Sequence, residues 1–205
     1  MDPLCEKHYS VSPYAYCAGD PVNYVDPEGR DILIVYYVND SQKTFRYTGK
    51  EENVPDNEYV RDVIDAYKFN KENWKNAGFE GDSPSTQLVE NSNYSVYVYE
   101  DYNGSSLYYQ DNGGIPWIRW NAYMGSKSDW GAVSSPASIL AHEADHAIDD
   151  LTNSRAHSAR REQDNPQYDN EEEKRVITGS EQKTALANRE IKRGQVIGNG
   201  PFMNL

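Results

Sequence analysis

Cysteine and histidine are scarce in this 205-residue chain, with two Cys and four His. The cysteines, Cys5 and Cys17, allow one disulfide but no disulfide scaffold. Their spacing suits no usual metal pair. No run of about 18 apolar residues occurs, so no spanning helix is expected. Basic residues are outnumbered, 20 Lys and Arg against 33 Asp and Glu, for a net charge of −13. That balance argues against nucleic-acid binding through a basic surface. The N-terminus, Met1-Asp2-Pro3-Leu4-Cys5, has neither a basic start nor an apolar core, so any export signal is expected outside this sequence. Tyr, by contrast, is abundant at 17 residues, and with four Trp it favours strands and amphipathic surfaces over a helical bundle. The length suits one domain with a proper core plus an extra segment.

Two of the four His fall in one stretch, His142-Glu143-Ala144-Asp145-His146, a His-Glu-x-x-His motif. On a helix, residues four apart share a face, so His142 and His146 can point two imidazoles at one metal ion. Glu143 lies about 100° around the helix from His142, beside the metal, where a general base for water would stand. The helix has local support. Ser134 or Ser135 can cap it, Pro136 suits its first position, and Leu140, Ala144, Ala147 and Leu151 form an apolar stripe. Asp145 departs from the motif, because the position before the second His is usually apolar.

Earlier in the chain, 31–38 reads as an apolar β-branched strand, with 44–48 as its partner across an Asn39-Asp40-Ser41 turn. Residues 57–78 read as a helix burying Val60, Val63, Ile64, Tyr67 and Trp74, stopped by Gly78. Residues 85–90 suggest a short helical turn. Further strands are expected at 94–99 and 106–109, and at 114–123 as an edge strand, because Pro116 cannot donate to a central ladder. An extended peptide could pair with such an edge. The polar stretch 152–170 lacks an apolar period and reads as a mobile surface loop, with His157 as a surface residue. Residues 180–191 favour helix, and 195–205 read as a tail.

Residues 1–30 are a different piece, dense in Pro and Gly turns and unable to bury a core alone. The runs Asp2-Pro3-Leu4, Ser12-Pro13-Tyr14-Ala15-Tyr16 and Pro21-Val22-Asn23-Tyr24-Val25-Asp26-Pro27-Glu28-Gly29-Arg30 resemble the end of an Rhs/YD-repeat core. That resemblance divides the chain into 1–30, an Rhs-like end, and 31–205, a variable C-terminal domain. In that family the variable domain is very often a toxin. The resemblance implies delivery by secretion or at the cell surface within a larger Rhs protein, action in a target cell, and a cognate immunity protein.

Two His do not complete a catalytic zinc site, which takes three protein ligands and an open position. A third His six residues after His146 would mark a metzincin, but that residue is Thr152. From the residues alone, Asp150, His157 and the acidic run 171–173 stay open as the third ligand. The run also reads as an acidic helix start that favours the macrodipole. The stretch Glu172-Glu173-Lys174-Arg175-Val176-Ile177-Thr178-Gly179 is similar to the Glu-Glu-x-Arg-Thr-x-Gly-Gly stretch of clostridial neurotoxin proteases and related bacterial effector proteases. That resemblance implies that Glu173 binds Zn²⁺ and Glu172 supports the site, a gluzincin arrangement, with Arg189 as a further supporting candidate; Asp150, four residues after His146 on the same helix face, is a supporting candidate by its spacing. Arg189, Tyr123 and Tyr168 are candidates for oxyanion stabilisation.

The expected fold is α+β and zincin-like: a small, twisted, mostly antiparallel sheet, an active-site helix and a C-terminal helical part. The expected function is a zinc endopeptidase toxin acting on protein or peptide. The alternative is an inactive zinc-binding or interaction module of an Rhs protein. A nuclease toxin is disfavoured by the acidic charge.

Overall fold

The computed structural model describes residues 31–91, 95–102, 106–109, 115–127, 133–192 and 203–204. The Rhs-like segment 1–30 lies outside the described residues. Strand β1 (Asp31–Val38) is apolar and buried over most of its length. It turns at Asn39 and Asp40, both at positive φ, into β2 (Ser41–Tyr47). Two left-handed residues suit the right-handed twist of a tight hairpin, and Asn and Asp tolerate that region.

Helix α1 (Glu58–Asn76) follows. The Asn57 side chain caps it by accepting from the Val60 amide. Its buried face carries Val60, Val63, Ile64, Tyr67 and Trp74, the stripe expected from the sequence. Gly78, at φ 75°, lies just past its end, where a Cβ would be strained. A short turn, α2 (Pro84–Thr86), continues as the π-helical segment Gln87–Asn91.

The remaining sheet strands are β3 (Ser95–Glu100), β4 (Leu107–Tyr109) and β5 (Trp117–Trp120). The order across the sheet is β2-β1-β3-β5-β4. Register aligns Phe45, Ile34, Val98, Ile118 and Tyr108 in one row. All five belong to the main core or pack on it, together with residues of α1.

The fold is α+β, but the sheet is mixed rather than mostly antiparallel. β1 with β3 and β3 with β5 run parallel, while the β1–β2 and β4–β5 pairs are antiparallel. Alternation within a strand carries no direction. Direction follows from the connection: β2 lies between β1 and β3 in the chain, and β4 between β3 and β5, and each of these antiparallel strands brings the chain back for a parallel pairing. The edge assignment is also corrected: β5 is interior and β4 is the edge. Pro116 precedes β5 and contributes only its carbonyl, which accepts from the Tyr97 amide at 2.9 Å.

Two short strands, β6 (Ser126–Lys127) and β7 (Val133–Ser134), pair ahead of the long helix α3 (Pro136–Arg161). Ser135 caps α3, its Oγ accepting from the Ser138 amide at 3.3 Å, with Pro136 in the first turn. Leu140, Ala144 and Ala147 are buried, with Leu151 packed beside them. The expected loop over 152–170 is instead helical to Arg161, broken at Asn153 (φ −137°, ψ 38°), and then forms the hairpin β8 (Asp164–Asn165) and β9 (Asp169–Asn170). Eleven residues of straight helix span about 16 Å. The rings of His146 and His157 are 6.0 Å apart, so the chain doubles back at Asn153. Helix α4 (Glu171–Val176), a π segment (Ile177–Glu181) and α5 (Gln182–Ala187) then pack against α3. Among the described residues, no helix is long and apolar enough to cross a membrane.

Candidate metal centre

Helix α3 sends both imidazoles of its motif to one point, with Nε2 of His142 and Nε2 of His146 3.0 Å apart. Asn170 caps α4, its side chain accepting from the amides of Glu172 and Glu173, and so fixes how that helix meets α3. Glu173 completes a triangle, with one carboxylate oxygen 3.3 Å from His142 Nε2 and the other 3.2 Å from His146 Nε2.

The backs of both rings are held by carboxylates. His142 Nδ1 donates to Glu181 at 2.8 Å, and His146 Nδ1 donates to Glu172 at 3.2 Å. With a proton on each Nδ1, a neutral imidazole turns its Nε2 lone pair inward. Three acceptors then face one another and need a cation or extra protons between them. Ligand atoms about 2.0–2.1 Å from a tetrahedral zinc lie about 3.3 Å apart, close to the spacing found here. A two-nitrogen, one-carboxylate donor set also fits zinc. His142, His146 and Glu173 all line a cavity of about 340 Å³, which leaves room for an open coordination position.

Glu143 stands on the same cavity wall and is only 7% exposed. Burial pushes its carboxyl up; the two histidines and a hydrogen bond from the Tyr108 backbone amide pull it back, and burial wins. Burial opposes charge on His142, but Glu181 and Glu173 override it and hold this imidazole well above its ordinary value. His146 is raised in the same way, through Glu172 and Glu173. Glu173 is held well below the usual carboxylate range by both histidines, despite its burial.

Metal must therefore displace protons from these imidazoles. Raised imidazole values extend proton competition upward in pH, so zinc affinity is expected to weaken as pH falls. Calorimetry in buffers of different ionisation enthalpy should show proton release on zinc binding near neutral pH; the absence of release would contradict this protonation pattern.

Glu172 stands behind the His146 ring. It is 0% exposed and accepts from His146, Arg160 and Arg175, with His157 Nδ1 at 3.2 Å. Burial would raise its carboxyl, yet these donors drive it far below the ordinary range. His146, His157 and Glu172 also cluster closely enough to ligate a metal. Two guanidinium groups already neutralise that carboxylate, which leaves no place for a second cation.

Glu181 was missed by sequence reasoning. It is buried and orients His142 as Glu172 orients His146. Carboxylates in this position typically fix the ring and raise its basicity. Glu181→Gln is expected to weaken zinc binding by about 10–100-fold without unfolding the chain. Competition against a chromogenic chelator would measure it, and an unchanged affinity would remove Glu181 from this role.

Asp145 now has a physical reason. It accepts from Arg175 Nη1 at 2.9 Å and from Ser180 Oγ, which pins α4 and the π segment onto α3. An apolar residue there would leave Arg175 without one of its partners. His157, expected at the surface, is only 2% exposed and stands between Tyr108 and His146, edge-on to both rings. Asp150 is buried and accepts from the Tyr108 hydroxyl at 3.0 Å, outside the ligand triangle. Arg189 lies in the turn after α5 at positive φ, Tyr123 is exposed and donates to Glu58, and Tyr168 packs in a separate small cluster. None of those three lines the cavity.

No family model, curated protein or solved structure matches this chain.

Proposed function

We propose that residues 31–205 form a zincin-like zinc endopeptidase of gluzincin type, the C-terminal toxin domain of an Rhs-type protein. The observation that carries this reading is the triangle of His142, His146 and Glu173, with sides of 3.0–3.3 Å, opening on a cavity beside Glu143. When bound, zinc supplies Lewis acidity toward a peptide carbonyl and makes water easier to deprotonate. Glu143 takes that proton, which its raised carboxyl suits, and returns it to the leaving amine. Glu172 and Glu181 keep the two imidazoles in the correct tautomer and orientation. The cavity also touches Ser106, Leu107 and Tyr108, at the start and along the edge strand β4, where an extended substrate can pair through its backbone.

The toxin context rests on the resemblance of residues 1–30 to an Rhs core end. It carries with it delivery within a larger secreted or surface protein and a cognate immunity protein. A second reading, an inactive zinc-binding or interaction module, is favoured by one fact: Arg189, Tyr123 and Tyr168 all lie off the cavity, leaving oxyanion stabilisation without those helpers. Metal analysis and digestion of an unfolded peptide library by the purified chain separate the two. The peptidase reading expects one zinc per chain, cleavage, and loss of cleavage on chelation. Zinc at one per chain without any cleavage supports the module.

A further inference from the structure

The doubled-back end of α3 brings chemistry to the cavity beyond the ligand triangle. His157 and Arg161 lie four residues apart, hence on one helical face, and both line the cavity. The neighbouring Arg160 is committed to Asp149 and Glu172. Among the described residues, Arg161 has no ion-pair partner and no Lys or other Arg lines the cavity. The remaining formal charges of the lining are Glu143, Glu173, Glu181 and Asp169, alongside the three histidines.

Arg161 shares the cavity lining with Leu107 and Tyr108 of β4, and its charge opposes the upward push of burial and Asp150 on the Tyr108 phenol. On the same wall, His157 Nε2 is buried with no hydrogen-bond partner, while its Nδ1 faces Asp149 and Glu172. A basic residue in the last turn of a helix is ordinary, since it suits the macrodipole. Arg161 is exposed, with its guanidinium in no ion pair among the described residues, on the wall of a cavity whose other charged side chains are carboxylates and histidines. The planar guanidinium fork matches a carboxylate.

We propose that Arg161 anchors one carboxylate of the peptide substrate, from an acidic side chain or from the chain terminus. This rests on the peptidase reading and names its substrate class. Glu173 and Glu181 are committed to the histidine centre, and Asp169 repels acids on its part of the lining, so the preference is confined to the position that reaches Arg161 and sets the register of the bound chain.

Binding tests this apart from turnover. The probes are fluorescein-labelled decapeptides in matched pairs, with a single Glu or Gln scanned along the sequence and with a free or amidated C-terminus. Fluorescence anisotropy with the zinc-loaded Glu143→Gln chain reads their affinities. One position, or the free terminus, should bind about tenfold tighter as the carboxylate. The scan arm identifies a side chain and the terminal arm a chain end. Adding Arg161→Gln should erase that ratio, and adding Arg161→Glu should transfer the preference to Lys at the same position. Thermal melts check that these variants stay folded. Equal binding within every pair, or a ratio that survives Arg161→Gln, overturns the proposal, as does a failure of all peptides to bind. Arg161-dependent binding without cleavage by the zinc-loaded wild-type chain would overturn the peptidase reading alone.

Discussion

Glu143→Gln is expected to abolish peptide cleavage by the zinc-loaded chain while leaving one zinc bound. Glutamine keeps the size of the side chain and can still accept from the Tyr108 amide, the hydrogen bond that positions Glu143. It cannot take a proton. Glu143 also stands outside the triangle of His142, His146 and Glu173, so metal retention does not depend on it. A positioned general base contributes about 10²–10⁴-fold to rate, and the loss should be at least of that order. Turnover of a cleaved library peptide, with zinc measured on the same sample, decides the matter. Full activity in the variant would remove Glu143 from the mechanism, and loss of zinc would mean that it is a ligand.

The largest expected stability effect belongs to Arg175→Ala. This guanidinium bonds Asp145 on α3 and Glu172 on α4 simultaneously, and those two carboxylates are 14% and 0% exposed. Removing it leaves Asp145 with Ser180 alone, and leaves Glu172 dependent on Arg160 and the histidines. Breaking one partner of a buried ion pair costs about 3–5 kcal/mol; Arg175 is partly exposed, so roughly 2–3 kcal/mol is expected. Because α4 carries Glu173, zinc affinity should fall as well. Urea denaturation of the metal-free chain gives the first quantity and chelator competition the second. Arg175→Lys should recover part of the stability, since it keeps the charge but not the fork. A change below about 0.5 kcal/mol, within the usual range for surface substitutions, would mean that the Asp145–Arg175–Glu172 bridge does not hold the two helices together.

Much of this arrangement was legible in the sequence where it follows helical period. The cap, the apolar stripe and the pairing of His142 with His146 are local consequences of one regular helix. The α1 stripe was legible for the same reason, and the Asn39-Asp40 turn from the tolerance of Asn and Asp for turn conformations. Glu181 was not. Eight α-helical residues would place it roughly 80° around from Glu173. The π segment Ile177–Glu181 widens that turn and brings both carboxylates to the His142 imidazole. His157 was hidden by the break at Asn153, which reverses the chain inside a polar run. The partners that hold this return segment, Asp149, Arg160 and Glu172, are charged, so no apolar period announced a helix. Strand direction was illegible because it depends on the connections between strands.

His142, His146 and Glu173 are expected to hold one zinc ion. Crystals of the zinc-loaded chain, with diffraction recorded on both sides of the zinc absorption edge, test it directly. A single anomalous peak is expected between His142 Nε2 and His146 Nε2, with a Glu173 carboxylate oxygen at ligand distance. No peak there, or one whose third protein ligand is Asp150 or His157, would contradict it.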